Sequence, residues 1–154
     1  MTAEQPDDMA LYNSWRNLDS GASAQMRRVA SPDELLDIPA FYRFIQPFGW
    51  YDNKYFLLRQ VFCLSSGQSV ITHTDKPISL GKALRLSDKI NERRIMQLVR
   101  SDSPNDMVQL RRLIIHVEPT LNWPMLARQL HYWGKNNKRQ LLEDFVLAQP
   151  DSAK

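Results

Sequence analysis

Signals that begin and end α-helices recur along this 154-residue chain, whereas signals for β-strands are nearly absent. Ser31-Pro32-Asp33-Glu34 and Ser103-Pro104-Asn105-Asp106 each combine a serine able to cap a helix with a proline suited to the first helical position. The chain has only 5 glycines, and the one candidate strand, Ser69 to Thr72, is too short to organise a sheet. These patterns predict an all-α protein of two small helical bundles packed together.

The spacing of apolar residues outlines the first bundle. Between positions 9 and 18 they recur at three- and four-residue steps, typical of an amphipathic helix, which we expect to end near Ser20-Gly21. Short helices are predicted to start at Ser31 and near Ile38. Residues 53–66 are apolar nearly all round, so they are predicted to form the central helix of this bundle.

Capping residues outline the second bundle. We predict helices from Ser79 to Leu86 and from Asp88 to Arg100, followed by one that starts after Ser103. Asn122-Trp123-Pro124 opens a helix that should stop at Gly134. The last helix is predicted from about Asn137 to Leu147, with a polar tail after it.

Positive charge is concentrated in the second half of the chain. Residues 76–139 contain 13 Lys or Arg and 5 Asp or Glu, a local net charge of +8, although the whole chain carries only +3. Residues 67–78, punctuated by Gly67 and Pro77, are predicted to be an exposed linker. We therefore expect an N-terminal helical subdomain, 1–75, and a basic C-terminal helical subdomain, 76–154, that binds a polyanion such as nucleic acid.

The cations of the basic half form three groups. In a helix through Arg100, at 100° per residue, Lys89, Arg93 and Arg100 lie on one outward face and Arg94 flanks the core. Such a stripe runs for about 16 Å, enough to follow several phosphates. The third group, around a turn, is Lys135, Lys138 and Arg139.

The second group, Arg111 and Arg112, lies on a helix that is apolar on two faces. One face consists of Leu110, Leu113, Ile114 and Val117, and the other of Val108 and Ile115. A helix of this kind is either packed inside the fold or offers one face to another protein, and burial is the commoner outcome.

Patterns that support catalysis or cofactor binding are missing from the sequence. The three histidines lie far apart, and neither zinc-ligand spacing nor a phosphate-binding glycine loop is present. Cys63 lies in an apolar run and is interpreted as a buried thiol. No apolar run approaches 18 residues. We expect a cytoplasmic, non-enzymatic protein without metal or cofactor.

Two other functions remain open at this point: a stand-alone helical DNA-binding regulator and an uncharacterised nuclease. The turn from Ser101 to Pro104 lies between two predicted helices, as in a helix-turn-helix protein. That motif needs polar base-reading residues early in its second helix, where Met107 and Val108 stand. The four tryptophans are suited to base stacking, but their apolar neighbours favour core packing for most of them.

Short strings from about Met9 to Leu147 resemble, in order, the CasB family, the small subunit of the type I-E CRISPR surveillance complex called Cascade. They include Asp33-Glu34-Leu35, Ile38-Pro39-Ala40-Phe41-Tyr42-Arg43, Gln46-Pro47-Phe48-Gly49-Trp50, Ile90-Asn91-Glu92-Arg93-Arg94, Met107-Val108-Gln109-Leu110-Arg111-Arg112-Leu113 and Leu141-Leu142-Glu143-Asp144-Phe145. Each string alone is weak, but together they are specific.

The resemblance implies a non-catalytic subunit for antiviral defence that is present as two copies. It implies contacts with the repeated backbone subunit that holds the guide RNA, with the large subunit, and with target DNA and the displaced strand. Family positions that face nucleic acid fall on Lys76, Arg100, Arg111, Arg112, Lys135 and Lys138, and Arg28 lies in a matching string. Ser103 and Asn136 stand where the family pattern has arginine.

Overall fold

Residues 7–148, the part of the chain that the computed structural model describes, contain nine α-helices. In chain order they are α1 Asp8–Arg16, α2 Ser20–Arg27, α3 Pro39–Ile45, α4 Lys54–Leu64, α5 Leu80–Ser87, α6 Glu92–Arg100, α7 Asn105–Val117, α8 Trp123–His131 and α9 Lys135–Leu147. Short 3₁₀ helices flank α3 at Pro32–Asp37, Gln46–Phe48 and Trp50–Asp52. The predicted all-α class is confirmed.

The polar tail predicted after Leu147 lies, from residue 149 onward, outside the described residues. Within residues 7–148, none of the helices has the length and apolar character needed to cross a bilayer.

Several predicted helix starts are confirmed together with their caps. The Ser79 hydroxyl accepts a hydrogen bond from the Lys82 amide at 3.2 Å where α5 begins. The Asn122 side chain accepts one from the Met125 amide at 3.1 Å where α8 begins. Each cap gives a partner to a backbone N–H that the first helical turn leaves free.

Two predicted boundaries are wrong because an acidic residue plays the opposite role. Asp19 caps the start of α2, accepting from the Ala22 amide at 3.0 Å, so a helix begins where one was expected to end. Asp88 ends α5 in the left-handed conformation, with φ of 59°, and Asn91 caps α6. Asp and Asn suit both roles, so sequence alone does not choose between them. Lys89 consequently lies outside the helix that holds Arg93.

The segment 67–78 is not the exposed linker that the sequence predicts. Tyr12 donates its hydroxyl proton to the Ile71 carbonyl at 2.8 Å, and the Trp15 ring N–H donates to the Gly67 carbonyl at 2.9 Å. Within this segment, strand β1, Thr72–His73, pairs in parallel with β2, Thr120–Leu121. The second strand was not predicted, because two residues carry no recognisable period.

The core runs through both predicted subdomains. Trp15, Phe41, Phe62, Trp123 and Phe145 are fully buried members of one apolar cluster. Helices α1 and α4 contact α8 across the proposed division at Lys76, which itself stays a prediction. Two of the four tryptophans are thus confirmed as core residues, and the other two are partly buried against the core.

Arg111 lies inside this core with 8% of its surface exposed. Its guanidinium donates to the carbonyls of Val29, Arg27 and Ser65, the last two at 2.8 and 2.7 Å, and lies 4.7 Å from the centre of the Phe62 ring. These carbonyls belong to the ends of α2 and α4, so Arg111 connects both helices to α7. Burial lowers the pKa of Arg111 and raises that of the neighbouring Cys63 thiol to about 12. Cys63 is the buried thiol that the sequence predicts.

Gly81 permits the close approach of α5 and α9, and Gly81→Ala should destabilise the fold. A Cβ atom at this position would lie 2.6 Å from the Asp144 Cβ and 2.7 Å from the Leu141 carbonyl oxygen. We expect the free energy of unfolding to fall by about 1–2 kcal/mol, since overpacking outweighs the better helix propensity of alanine. Urea unfolding of the wild-type and variant proteins measures this change in free energy. Gly134→Ala is the control, because the nearest atom to a Cβ there would be the Tyr132 carbonyl oxygen at 3.8 Å, an ordinary contact distance. Equal effects at both glycines would contradict the packing argument.

Arg111→Met should destabilise the protein far more than Arg112→Met, although the two arginines are adjacent. The first substitution leaves three carbonyls without their donor and should lower the free energy of unfolding by about 2–4 kcal/mol. Arg112 is exposed, so its replacement should change that free energy by less than about 0.5 kcal/mol. Urea unfolding of both variants provides the measurement, and a stable Arg111→Met protein would contradict the structural role.

Candidate nucleic-acid interface

A groove with a positively charged lining runs between α6 and α7 and has a volume of about 620 Å³. Its lining consists of Arg94, Gln97, Arg100, Ser101, Asn105, Val108, Gln109, Arg112 and Leu113. Three of these nine side chains are arginines, and none of the nine is acidic. Like charges gathered in a concave surface strengthen the local field, which attracts anions such as phosphates.

The amphipathic pattern of α6 directs its arginines toward solvent. Ile95 and Leu98 are fully buried on the inner side of the helix, while Arg94 and Arg100 are exposed and line the groove. The Asn91 side chain fixes the start of the helix by accepting from the Arg94 amide at 3.0 Å. Sequence reasoning missed Arg94 as a site residue, because its helical angle lies at the border of the apolar face.

Helix α7 forms the other wall and separates its two arginines. Successive residues differ by 100° around a helix, so Arg112 lines the groove while Arg111 enters the core. The Gln109 side-chain amide donates to the Ser101 hydroxyl at 2.5 Å, and this hydroxyl donates to the Gln97 carbonyl at 2.7 Å. These bonds hold the turn between α6 and α7 against both helices.

Arg93 lies beside the groove and not within it. It lines a neighbouring depression of about 460 Å³ together with Glu92, Met96, Gln97 and Arg100. Arg100 borders both depressions, so it connects Arg93 to the cations of the groove. Glu92 places one negative charge in this second surface, which makes it less suited to phosphate than the groove.

Lys138, like Arg111, differs from the exposed predicted cations, since its side chain is only 11% exposed. Its ammonium group lies 3.2 Å from an Asp106 carboxylate oxygen and donates to the Ser101 carbonyl at 2.7 Å. Both acceptors belong to the turn and first residues at one end of the groove. The ammonium group therefore faces the fold, and we omit Lys138, like Arg111, from the proposed phosphate ligands.

The remaining predicted cations are exposed but dispersed. Lys76 follows β1, Lys89 lies between α5 and α6, and Lys135 and Arg139 lie on α9. Arg28 lies in a separate depression that also contains Glu34 and Asp37. Contact with nucleic acid stays a prediction for each of them.

The second apolar face of α7 is only partly buried. Val108 is half-buried in the groove, but Ile115 is 47% exposed, so the expected burial of the second apolar face is wrong at Ile115. Among the described residues, His, Cys, Asp and Glu side chains do not gather in threes that could hold a metal ion.

Known proteins resemble this chain in both sequence and fold. Residues 22–146 match the family model of the CRISPR-associated protein Cse2. The chain is 59% identical to the CRISPR system Cascade subunit CasB of Escherichia coli strain K12 over 153 residues, which cover 94% of this chain and 96% of that protein. It matches a chain in the crystal structure of E. coli Cascade bound to a PAM-containing dsDNA target, with a TM-score of 0.91, 61% identity, and coverage of 94% and 97%. The chain therefore belongs to the Cse2, or CasB, family of Cascade subunits.

Proposed function

We propose that the protein binds nucleic acid without sequence preference inside Cascade and stabilises target DNA and the displaced non-target strand while the guide RNA pairs. The groove between α6 and α7 carries the proposal, because Arg94, Arg100 and Arg112 line it without an acidic neighbour in the lining. Family membership supplies the context, since a related structure is Cascade bound to a DNA target.

The chemistry of the groove suits a sequence-independent role. Guanidinium groups bind phosphate oxygens well, and phosphate contacts carry no sequence information. Exchange of a DNA duplex for an RNA–DNA duplex is nearly balanced in free energy. A few phosphate contacts to one strand therefore suffice to shift this exchange toward the opened state.

The proposed partners follow from the family. They are the repeated backbone subunit with its guide RNA, the large subunit, a second copy of this chain, and both DNA strands. We further propose that the subunit is cytoplasmic and has no catalytic role of its own. Ile115, the exposed apolar side chain of α7, is available for contact with one of these protein neighbours.

A helix-turn-helix regulator fits the geometry less well. Such a protein reads bases with side chains from the first turns of its second helix. In this fold Met107 is only 3% exposed, and Val108, although it lines the groove, has an apolar side chain. Neither residue can form hydrogen bonds to base edges, so we do not propose base-specific reading.

Replacing the groove arginines should reduce the salt dependence of single-strand binding. If about four phosphates are neutralised, the log–log slope of affinity against salt should be near −3 for the wild-type chain. Arg94→Gln, Arg100→Gln and Arg112→Gln should each make the slope shallower by about 0.7. Fluorescence anisotropy with a labelled oligonucleotide measures these slopes. The control is Arg43→Gln, an exposed arginine on α3, which should leave the slope unchanged. A flat wild-type response, or a strong preference for one duplex sequence, would contradict the proposal.

In assembled Cascade, the combined Arg100→Glu and Arg112→Glu variant should weaken stable target binding, because both substitutions place negative charge against the phosphates. We expect at least about a tenfold loss of affinity at physiological salt, as two lost charge-assisted contacts imply. A gel-shift assay with a DNA target that matches the guide measures this affinity. Mass spectrometry of the purified complex checks its subunit composition. Unchanged target binding by an intact variant complex would contradict the groove assignment, whereas loss of the subunit would place these residues at a protein interface.

A further inference from the structure

Lys138 of α9 contacts the ends of α6 and α7, the two helices that form the walls of the groove. Its ammonium group donates to the carbonyl of Ser101, the C-cap residue that follows α6, and pairs with Asp106 in the first turn of α7. Both contacts suit the helix dipoles, since a cation is favoured at the negative end of α6 and an acid at the positive end of α7. One side chain of α9 thereby fixes the ends of both groove helices.

Both carboxylate oxygens of Asp106 accept hydrogen bonds in this arrangement. One carboxylate oxygen accepts from Lys138 and from the Trp133 ring N–H, each at 3.2 Å, and the other accepts from the Met107 amide at 2.7 Å. The side chains of Asp106 and Lys138 are 5% and 11% exposed. An ion pair so poorly hydrated is costly to break on one side only, because the remaining charge stays buried.

We propose that Lys138 and Asp106 are positioning residues for the groove, and that Lys138 supports nucleic-acid binding without touching a phosphate. The inference depends on the groove being the binding site proposed above. Arg100 is the last residue of α6 and Arg112 lies two turns into α7, so the pair controls the separation of their backbones. Loss of the pair frees the turn, and the arginines then lose their common alignment.

The variant Asp106→Asn separates positioning from direct binding by the sign of its effect. If Lys138 were a phosphate ligand, release from Asp106 would free a cation and raise affinity for a single-stranded oligonucleotide. Positioning predicts the opposite, a loss of about tenfold, the size expected for one charge-assisted hydrogen bond. Tighter binding by a folded Asp106→Asn protein overturns the inference.

The salt slope of Lys138→Met supplies the second test. We expect weaker binding with the wild-type slope, because Arg94, Arg100 and Arg112 still neutralise the same phosphates in a poorer geometry. A phosphate ligand would instead make the slope shallower by about 0.7, as predicted for Arg100→Gln. Circular dichroism confirms that each variant is folded under the assay conditions. Unchanged affinity of folded Lys138→Met would reduce the residue to a purely structural role and overturn the inference. Absence of salt-dependent binding in the wild-type chain would overturn the proposed function itself, and this inference with it.

A measurement on the wild-type protein covers the case in which neither variant folds. Reductive methylation should modify exposed Lys135, one turn away on α9, and leave Lys138 unmodified with or without oligonucleotide. Peptide mass spectrometry reads both sites. Modification of Lys138 in the free protein, with protection by the oligonucleotide, would identify a phosphate ligand and overturn the inference.

Discussion

The buried guanidinium of Arg111 is the contact on which the arrangement of α7 depends. Its donors bind the backbone at the ends of α2 and α4, and its flat face lies over Phe62. A guanidinium has several N–H groups in a rigid plane, so one side chain can satisfy carbonyls from separate segments. With α7 held in this rotation, the next residue, Arg112, faces the groove. The same constraint that completes the core therefore directs a cation outward.

A second cation fixes the N-terminal end of the same helix. Lys138 and Asp106 connect α9 to the turn before α7, while Arg111 connects the middle of α7 to the N-terminal half. Both cations lie largely out of water, and both have backbone carbonyls as acceptors. The buried contacts of Arg111 and Lys138 therefore hold the helices that carry the exposed arginines of the groove. Charge in the basic half is thus divided between side chains that hold the fold and side chains that remain free for an anionic partner.

The helical character of the chain was predictable because it depends on local signals. The caps at Ser79 and Asn122, the apolar run of α4 and the end of α9 at Leu147 all involve residues within a few positions of each other. The predicted helix boundaries were wrong at Asp19 and Asp88, because aspartate can either begin a helix or end one. The prediction of an exposed linker around Ile71 was wrong for another reason. The tyrosine and tryptophan that donate hydrogen bonds to its carbonyls lie more than 50 residues earlier. A contact of that range leaves no trace in a local pattern.

The candidate site shows the same division. Composition and helical spacing located the positive charge in residues 76–139 and placed Arg93 and Arg100 on an exposed face. They did not separate Arg111 from Arg112, nor Lys138 from Lys135, because every lysine and arginine carries the same charge in a sequence. Burial and the presence of an acceptor decide whether a cation serves the fold or the surface, and both depend on distant segments. The sequence by itself determined the family, the helical class and the excess of positive charge. Only the tertiary structure decided which cations remain free, since only packing brings the carbonyls of Arg27, Val29, Ser65 and Ser101 to them.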